Sequence, residues 1–174
     1  MSQTLESPDE ILGREFLTWL WFRSDLAPGS FTSREGSPFA VSMEQRIVVQ
    51  GGQGDARETA SVSGALSPLR EARFGLGTGK KVTRALLHLE KDDMAFQVTL
   101  KAEDFSLGGL KTPKIDKSDA DDDPDALFLE KIYLMEVCTS LLDSLFLAFL
   151  KIRLEEDAWT QEVRNMQKWL TETE

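Results

Sequence analysis

Residues 82–100, VTRALLHLEKDDMAFQVTL, contain the clearest β-structure pattern in the chain. Apolar and polar side chains alternate strictly from Met94 to Leu100, and an apolar run precedes them on the other side of residues 91–93. Alternation puts one set of side chains on one face of a strand, so this segment predicts two antiparallel strands joined by a tight turn. We therefore expect a β-hairpin at residues 81–101 that belongs to the core sheet.

Two further strands and a short helix are predicted before this hairpin. Residues 58–63, ETASVS, form a weaker, more polar strand that can pair with a preceding strand as a hairpin, since glycines separate the two. Residues 67–74 begin with Ser-Pro and are followed by glycine, which indicates a short helix. The preceding strand is indicated by apolar residues at even spacing: Val41, Met43, Ile47 and Val49.

A helix is predicted near the start of the sequence, from about Pro8 to Arg23. Ser7 can cap it, Pro8 fits its first position, and Glu10 completes a capping box. The large apolar residues of this helix are too numerous for one narrow stripe, so they cover at least two faces. Trp19 and Trp21 then point to different sides, and one of them is available to dock on a partner.

The last third of the chain is predicted to be helical after an acidic linker. Residues 116–125, DKSDADDDPD, hold six aspartates that repel one another and bury nothing. One long helix then runs from Ala126 to about Leu154, and a second helix or a continuation extends through Leu170. The whole pattern predicts an α+β protein with a mixed core at residues 1–115, a linker at 116–125, and helices at 126–174 that pack on the core or on a partner subunit.

Charge and hydropathy limit the classes of function. The net charge is −10, yet residues 1–115 hold 14 basic against 15 acidic side chains and the remainder holds 6 against 15. The acidity is therefore local, and a basic surface on the first part remains open. The sequence has no secretory signal, and its longest apolar stretch, residues 141–154, is interrupted by charges, which predicts a buried helix in a cytoplasmic protein with no membrane contact.

The residues of the common catalytic and metal sites are missing from the sequence. His88 is the single histidine and Cys138 the single cysteine, so neither a His-paired nucleophile nor a multi-thiolate metal site can be built within one chain. Acidic residues from Asp119 to Glu130 fall in a calcium-loop register, but Pro124 stands where that loop requires glycine. We predict a non-enzyme without metal or cofactor, and a structural role for His88 and for a buried Cys138.

A glycine-rich basic segment is the best candidate for contact with nucleic acid. Residues 74–81 depart from a phosphate-binding NTPase loop at both ends, because Phe74 replaces a glycine and Lys81 replaces Ser or Thr. Three glycines nevertheless let backbone amides approach an anion. An ordinary solvated surface is the equally weighted alternative. The predicted phosphate contacts are Arg70, Arg73, Lys80, Lys81 and Arg84.

Residues 77–111, GTGKKVTRALLHLEKDDMAFQVTLKAEDFSLGGLK, resemble the C-terminal half of the bacterial recombination-associated protein RdgC family. In that family a Gly-Lys-Val-Thr segment opens an apolar strand, and a second strand ends in a polar stretch with leucine and lysine. Residues 12–24, LGREFLTWLWFRS, are similar to the segment that opens this half of the family, and residues 129–150 are similar to its closing helix. Residues 155–174 extend beyond the resemblance.

The resemblance implies a ring-shaped homodimer that encircles duplex DNA with little sequence preference, on the nucleoid, and that restrains a recombinase such as RecA. We therefore expect weak, non-specific binding of duplex DNA. A protein-interaction or oligomerisation module with no DNA contact is the alternative hypothesis, and an enzyme of unrecognised chemistry is the third. The residues predicted for a protein interface are Trp19, Trp21, Phe22, Phe146 and Phe149.

Overall fold

The structure, a computed structural model, describes residues 8–51, 58–63, 81–114 and 123–171. Within these ranges the fold is α+β, as predicted, with an antiparallel sheet and helices on one side of it. The elements in chain order are α1 (Pro8–Leu26), β1 (Phe31–Thr32), β2 (Pro38–Gly51), β3 (Glu58–Ser63), β4 (Lys81–Lys91), β5 (Met94–Lys101), β6 (Leu107–Lys111), α2 (Pro124–Arg153) and α3 (Glu156–Thr171).

The described strands form one six-stranded sheet in which every pairing is antiparallel. Strand β4 lies between β2 and β5, and β6 pairs with the far edge of β5, while β1 and β3 each pair with β2. The predicted hairpin is confirmed as β4 and β5, with Leu87 opposite Val98. Its turn is tight because Asp92 adopts a positive φ of 54°, a conformation that aspartate tolerates better than most residues.

One face of the sheet is buried, and we call it the inner face. The alternation read from the sequence places Phe96, Val98 and Leu100 of β5 there, and each of them is buried. Helix α1 lies against β2 and β4 on this face. The inner face is completed by the buried residues of the two neighbouring strands, which are Phe39, Val41, Met43, Val82, Ala85, Leu87 and Leu89.

Helix α1 begins at Pro8 as predicted and ends three residues later than predicted, at Leu26. It approaches the sheet closely at Gly13, where a Cβ atom would overlap the carbonyl oxygen of Ala102. The hydroxyl of Thr18 accepts a hydrogen bond from the backbone N–H of Val82 at 3.3 Å. The helix is therefore fixed to the sheet at two successive points.

The C-terminal region forms two helices, which settles the choice left open by the sequence. Helix α2 starts two residues before the predicted Ala126, because Asp123 caps it by accepting a hydrogen bond from the backbone N–H of Asp125 at 3.0 Å. It ends at Arg153, and α3 follows after two residues. The predicted helix at residues 67–74, the Ser7 cap and residues 116–122 of the acidic linker lie outside the described residues.

Both C-terminal helices pack against α1 and extend its hydrophobic core. The buried residues of α2 follow one stripe at spacings of three and four, from Leu134 through Cys138, Leu141 and Leu145 to Phe149. Helix α3 brings the indole of Trp169 against Trp21 and Phe22, with ring centroids 5.5 and 5.6 Å apart. The core of the described residues is thus continuous from the sheet through α1 to α3.

Candidate functional site

The face of the sheet opposite α1, which we call the outer face, is open in the part of the chain that the structure describes. Its side chains on β4 and β5 are exposed or half-buried, whereas those on the inner face are buried. The outer face carries mostly polar residues, with Gln97 and Thr99 on β5 and His88 and Glu90 on β4. A sheet with one solvated face alternates in this way.

Two basic side chains lie opposite each other on the outer face. Arg84 of β4 pairs in register with Lys101 of β5, and both residues are exposed. Directly opposed strand residues have Cβ atoms about 4.5–5.5 Å apart, and like charges at this separation destabilise the pair. An anion held between them would remove that repulsion. We call Arg84 and Lys101 the basic pair.

The structure describes only part of the basic cluster predicted from the sequence. Arg84 is exposed on the outer face, and Lys81 is the first residue of β4. Arg70, Arg73 and Lys80 lie outside the described residues. Lys101 was not predicted as a phosphate contact, although its position opposite Arg84 follows from the register of the β4–β5 hairpin.

His88 lies in a row of polar residues that crosses four strands. Ser42 of β2, His88, Gln97 and Lys111 of β6 are successive register partners. The Nε2 atom of His88 is 2.8 Å from a carboxylate oxygen of Glu90 on the same face. Its Nδ1 atom is buried and has no hydrogen-bond partner in the described part of the structure. In the described structure, the side chain of His88 thus hydrogen-bonds with Glu90 alone, and its structural role stays a prediction.

The aromatic residues predicted for a protein interface are mostly inside the chain's own core. Trp19, Trp21, Phe22 and Phe149 are all buried. Helix α3 covers Trp21 and Phe22. The expectation that these side chains dock on a partner is corrected for all four, because they are already covered by α2 and α3.

Phe146, the remaining predicted interface residue, is half-buried and also contacts the chain itself. Its ring packs edge-on against Phe105, with centroids 5.2 Å apart, and against Phe16 at 5.3 Å. It therefore joins α2 to the turn that follows β5 and to α1. Its role within the described fold is to hold these segments together.

A cluster of exposed apolar residues lies instead on the first half of α2. Their fractional exposures range from 36% to 63%, which is high for large apolar side chains within two and a half turns of one helix. An apolar patch of this kind marks an interaction surface. We call it the α2 apolar surface, and it consists of Phe128, Leu129, Ile132, Tyr133 and Met135.

The sequence could not distinguish the exposed from the buried side of α2. This helix is apolar on nearly every face in its first half, so periodicity does not select a core stripe. By length and composition α2 could also cross a membrane, although core helices of soluble proteins pass the same test. Leu134 and Cys138 lie in the hydrophobic core.

Cys138 is buried, as predicted, and burial raises the pKa of its thiol to about 11. A neutral thiol at physiological pH is a weak nucleophile and a poor metal ligand. Among the described residues no group of three or more His, Cys, Asp or Glu side chains is arranged to hold a metal ion. Asp123, one member of the calcium-loop register, is engaged as the cap of α2.

Comparison with known proteins adds no family assignment. No protein-family model matches the chain, and no curated protein matches it.

Proposed function

We propose that the protein is a non-catalytic, RdgC-like accessory protein of recombination or replication that binds duplex DNA without sequence preference. The observation that carries the proposal is the basic pair on the open outer face. Arg84 and Lys101 are register partners and both are exposed. The carboxylate of Asp104 interacts with Lys101 and offsets part of its charge, whereas no ion pair is recorded for Arg84 in the described residues. A phosphate group between them would turn a repulsive pair into two favourable contacts.

The proposed DNA contact is electrostatic and small. The described basic pair supplies about two phosphate contacts per chain, so log affinity should fall with log salt concentration at a slope of about −2. The net charge of −10 opposes association at long range. Binding should therefore be weak and strongest at low ionic strength, where each fixed contact is least screened.

The α2 apolar surface supports a homodimer as the binding unit. Its five large side chains lie on one helix and each is at least a third exposed in the described structure. A second copy of the chain presents the same apolar helix, so a two-fold axis beside α2 would bury both surfaces at once. Two outer faces in one assembly would then double the number of phosphate contacts.

Fluorescence anisotropy with a labelled duplex of random sequence tests DNA binding. The parent, an Arg84→Glu/Lys101→Glu variant and a control Lys114→Glu/Arg164→Glu variant are titrated at several low salt concentrations. The two variants change the net charge equally, and the control replaces exposed residues away from the basic pair. We expect the basic-pair variant to bind at least about tenfold more weakly and with a shallower salt slope, while the control stays close to the parent.

A protein-interaction module without DNA contact is the second candidate, and the α2 apolar surface specifically favours it. If the parent does not bind the duplex, or binds it as tightly as the basic-pair variant does, the DNA proposal is wrong and this second function replaces it. Light scattering then tests self-association. A Phe128→Glu/Tyr133→Glu variant should be monomeric and a Gln161→Glu/Gln167→Glu control on α3 dimeric, because only the first pair lies on the α2 apolar surface.

A further inference from the structure

A cavity of about 560 Å³ lies beside the second half of α2. Its walls come from the last turns of α1, the segment from Ser30 to Arg34 that contains β1, and the second half of α2. This volume is within the range of pockets that bind small organic molecules. The cavity is open on one side, so a ligand can enter without movement of the helices.

The polar part of the cavity is cationic. Arg23, Arg34 and Lys151 line it, one from each of the three walls, and its described lining contains no aspartate or glutamate. Arg34 and Lys151 are exposed and have no ion-pair partner among the described residues. In a chain with a net charge of −10, three cations gathered around one cavity form a local site for an anion.

The guanidinium of Arg23 is fixed by an ion pair with Glu162 of α3. One of its terminal nitrogens pairs with the buried carboxylate of Glu162, which also accepts a hydrogen bond from Nε1 of Trp19 at 3.4 Å. The carboxylate neutralises part of the charge of Arg23, so Arg34 and Lys151 carry the free charge of the site. A guanidinium fixed in this way can still donate from its other terminal nitrogen toward the cavity.

The remainder of the cavity wall is apolar and aromatic. Trp19 and Phe31 line it together with Leu145 and Ile152. Ser33 is buried beside them, and its hydroxyl oxygen accepts a hydrogen bond from the backbone N–H of Ser37 at 3.1 Å. The hydroxyl hydrogen of Ser33 is therefore available to a ligand. Apolar walls with a few polar groups that converge are typical of small-molecule sites.

We propose that this cavity binds a small organic anion, in which a carboxylate or phosphate group is attached to an apolar body. The charged group contacts Arg34 and Lys151, and the apolar body lies against Leu147 and Ile152. Such a ligand would bridge the segment from Ser30 to Arg34 and α2, so its binding would also stabilise the packing of α2 on the core. This site is independent of the basic pair and of the proposed binding of DNA.

Fluorescence titration with 8-anilinonaphthalene-1-sulfonate, an anion with an aromatic body, tests the site. The titration is made in the Phe128→Glu/Tyr133→Glu background, which disrupts the α2 apolar surface and so reduces binding of the dye there. We expect saturable binding of one dye per chain. An Arg34→Glu/Lys151→Glu exchange should weaken it at least about tenfold, because two attractive charges become repulsive, whereas Lys114→Glu/Arg164→Glu should leave it within about twofold.

Displacement of the dye by competing ligands distinguishes a carboxylate from a phosphate head group and tests whether a charge is required. Octanoate and octyl phosphate should both displace the dye, and the better competitor identifies the preferred head group. Octanol has the same alkyl chain without the charge, and it should displace the dye with at least about tenfold lower affinity than octanoate. The proposal is overturned if the parent background does not bind the dye saturably, if the two charge variants bind it equally, or if octanol competes as well as octanoate.

The folding of the charge variants is checked by their far-ultraviolet circular dichroism and thermal melting. Arg34 and Lys151 are both exposed, so their replacement should leave the fold intact. If Arg34→Glu/Lys151→Glu does not fold, Arg34→Gln/Lys151→Gln takes its place and should weaken dye binding by about half as much on a logarithmic scale, since it removes attraction without adding repulsion.

Discussion

Gly13 lies where α1 crosses the turn after β5, and the space that a side chain would need is filled by the backbone of Ala102. Replacing glycine by alanine inside a helix normally adds stability. Here we expect Gly13→Ala to lower the free energy of unfolding by about 1–3 kcal/mol, because α1 must move away from the sheet. Chemical denaturation measures this change.

Gly29 provides the matched control for Gly13, because a Cβ atom there would meet no atom within 4 Å. Gly29→Ala should leave the free energy of unfolding within about 0.5 kcal/mol of the parent value. Equal effects of the two substitutions would mean that the close approach of α1 to Ala102 does not exist in solution.

Phe96 is the largest inner-face residue of β5 and is fully buried. Phe96→Ala should lower the free energy of unfolding by about 3–5 kcal/mol, because it removes an aromatic side chain from the core and leaves a cavity. The neighbouring outer-face substitution Gln97→Ala should cost less than about 1 kcal/mol. A Phe96→Ala protein that melts within a degree of the parent would contradict the assignment of the inner face.

Cys138 should react slowly, because burial raises the pKa of its thiol to about 11 from an ordinary value of 9.0. At pH 8 the thiolate population is then about a hundredfold smaller than that of an exposed thiol, since two pKa units separate them. The rate of reaction with Ellman's reagent measures this difference. The native protein should react at least about a hundredfold more slowly than the same protein in denaturant, and a difference below about tenfold would refute burial.

The same pKa shift of Cys138 has a consequence for stability at high pH. Between about pH 9 and pH 11 the thiol ionises in the unfolded chain but stays protonated in the folded one. The folded state then binds more protons than the unfolded state, so the free energy of unfolding falls as pH rises through this window. A Cys138→Ala variant lacks this contribution and should lose less stability between these two pH values.

At the scale of elements, α3 is fixed to α1 by polar contacts within an aromatic environment. Glu162 of α3 is buried and pairs with Arg23, and Nε1 of Trp169 donates a hydrogen bond to Asp25 at 2.7 Å. Glu162→Ala should lower the free energy of unfolding by about 1–3 kcal/mol, because Arg23 and Trp19 both lose their partner while the half-exposed Arg23 stays solvated. Urea denaturation measures the loss.

Two further variants separate the contribution of the Glu162 carboxylate from that of its size. Glu162→Gln keeps the shape and an acceptor oxygen and should recover part of the stability that alanine loses. Glu155→Ala is the control, since this residue precedes α3 and is exposed. The polar contact would be unimportant if alanine at position 162 had no larger effect than alanine at position 155.

The strands could be predicted from local pattern, whereas the roles of the helices could not. The alternation of Met94, Phe96, Val98 and Leu100 gives both the element and its buried face, because the period of two is specific to strands. Residues 58–63 were likewise predicted at the observed bounds of β3. Strand β6 was not predicted, because its sequence LGGLK has no alternation and its formation depends on pairing with β5.

Trp21 and Phe22 illustrate why surface and core could not be told apart on α1. They are covered by Trp169, which lies far along the chain, and a local sequence pattern does not predict such a long-range contact. The cations of the proposed anion site are likewise far apart in the sequence, so no local pattern predicts that they line one cavity: Arg23, Arg34 and Lys151. The basic cluster near β4 could be predicted because its residues are close together in the sequence, but most of it lies outside the described residues.

At the scale of the whole molecule, the proposed homodimer through α2 would make stability depend on protein concentration. Association of folded chains stabilises them by mass action, so the melting temperature should rise when the protein concentration is raised tenfold. Light scattering on the same samples should approach twice the chain mass of 19.5 kDa. The Phe128→Glu/Tyr133→Glu variant should melt at a temperature independent of concentration, and a parent that behaves in this way would be a monomer.

The contact between α1 and α3 also has a consequence for the order in which the chain folds during synthesis. The hydrogen bond from Trp169 to Asp25 joins residues 144 positions apart. While the ribosome is still translating the intervening sequence, Trp21 and Phe22 have no cover. The nascent chain therefore exposes these two aromatic side chains until α3 has been synthesised and docks on α1, and surface of this kind is prone to aggregation.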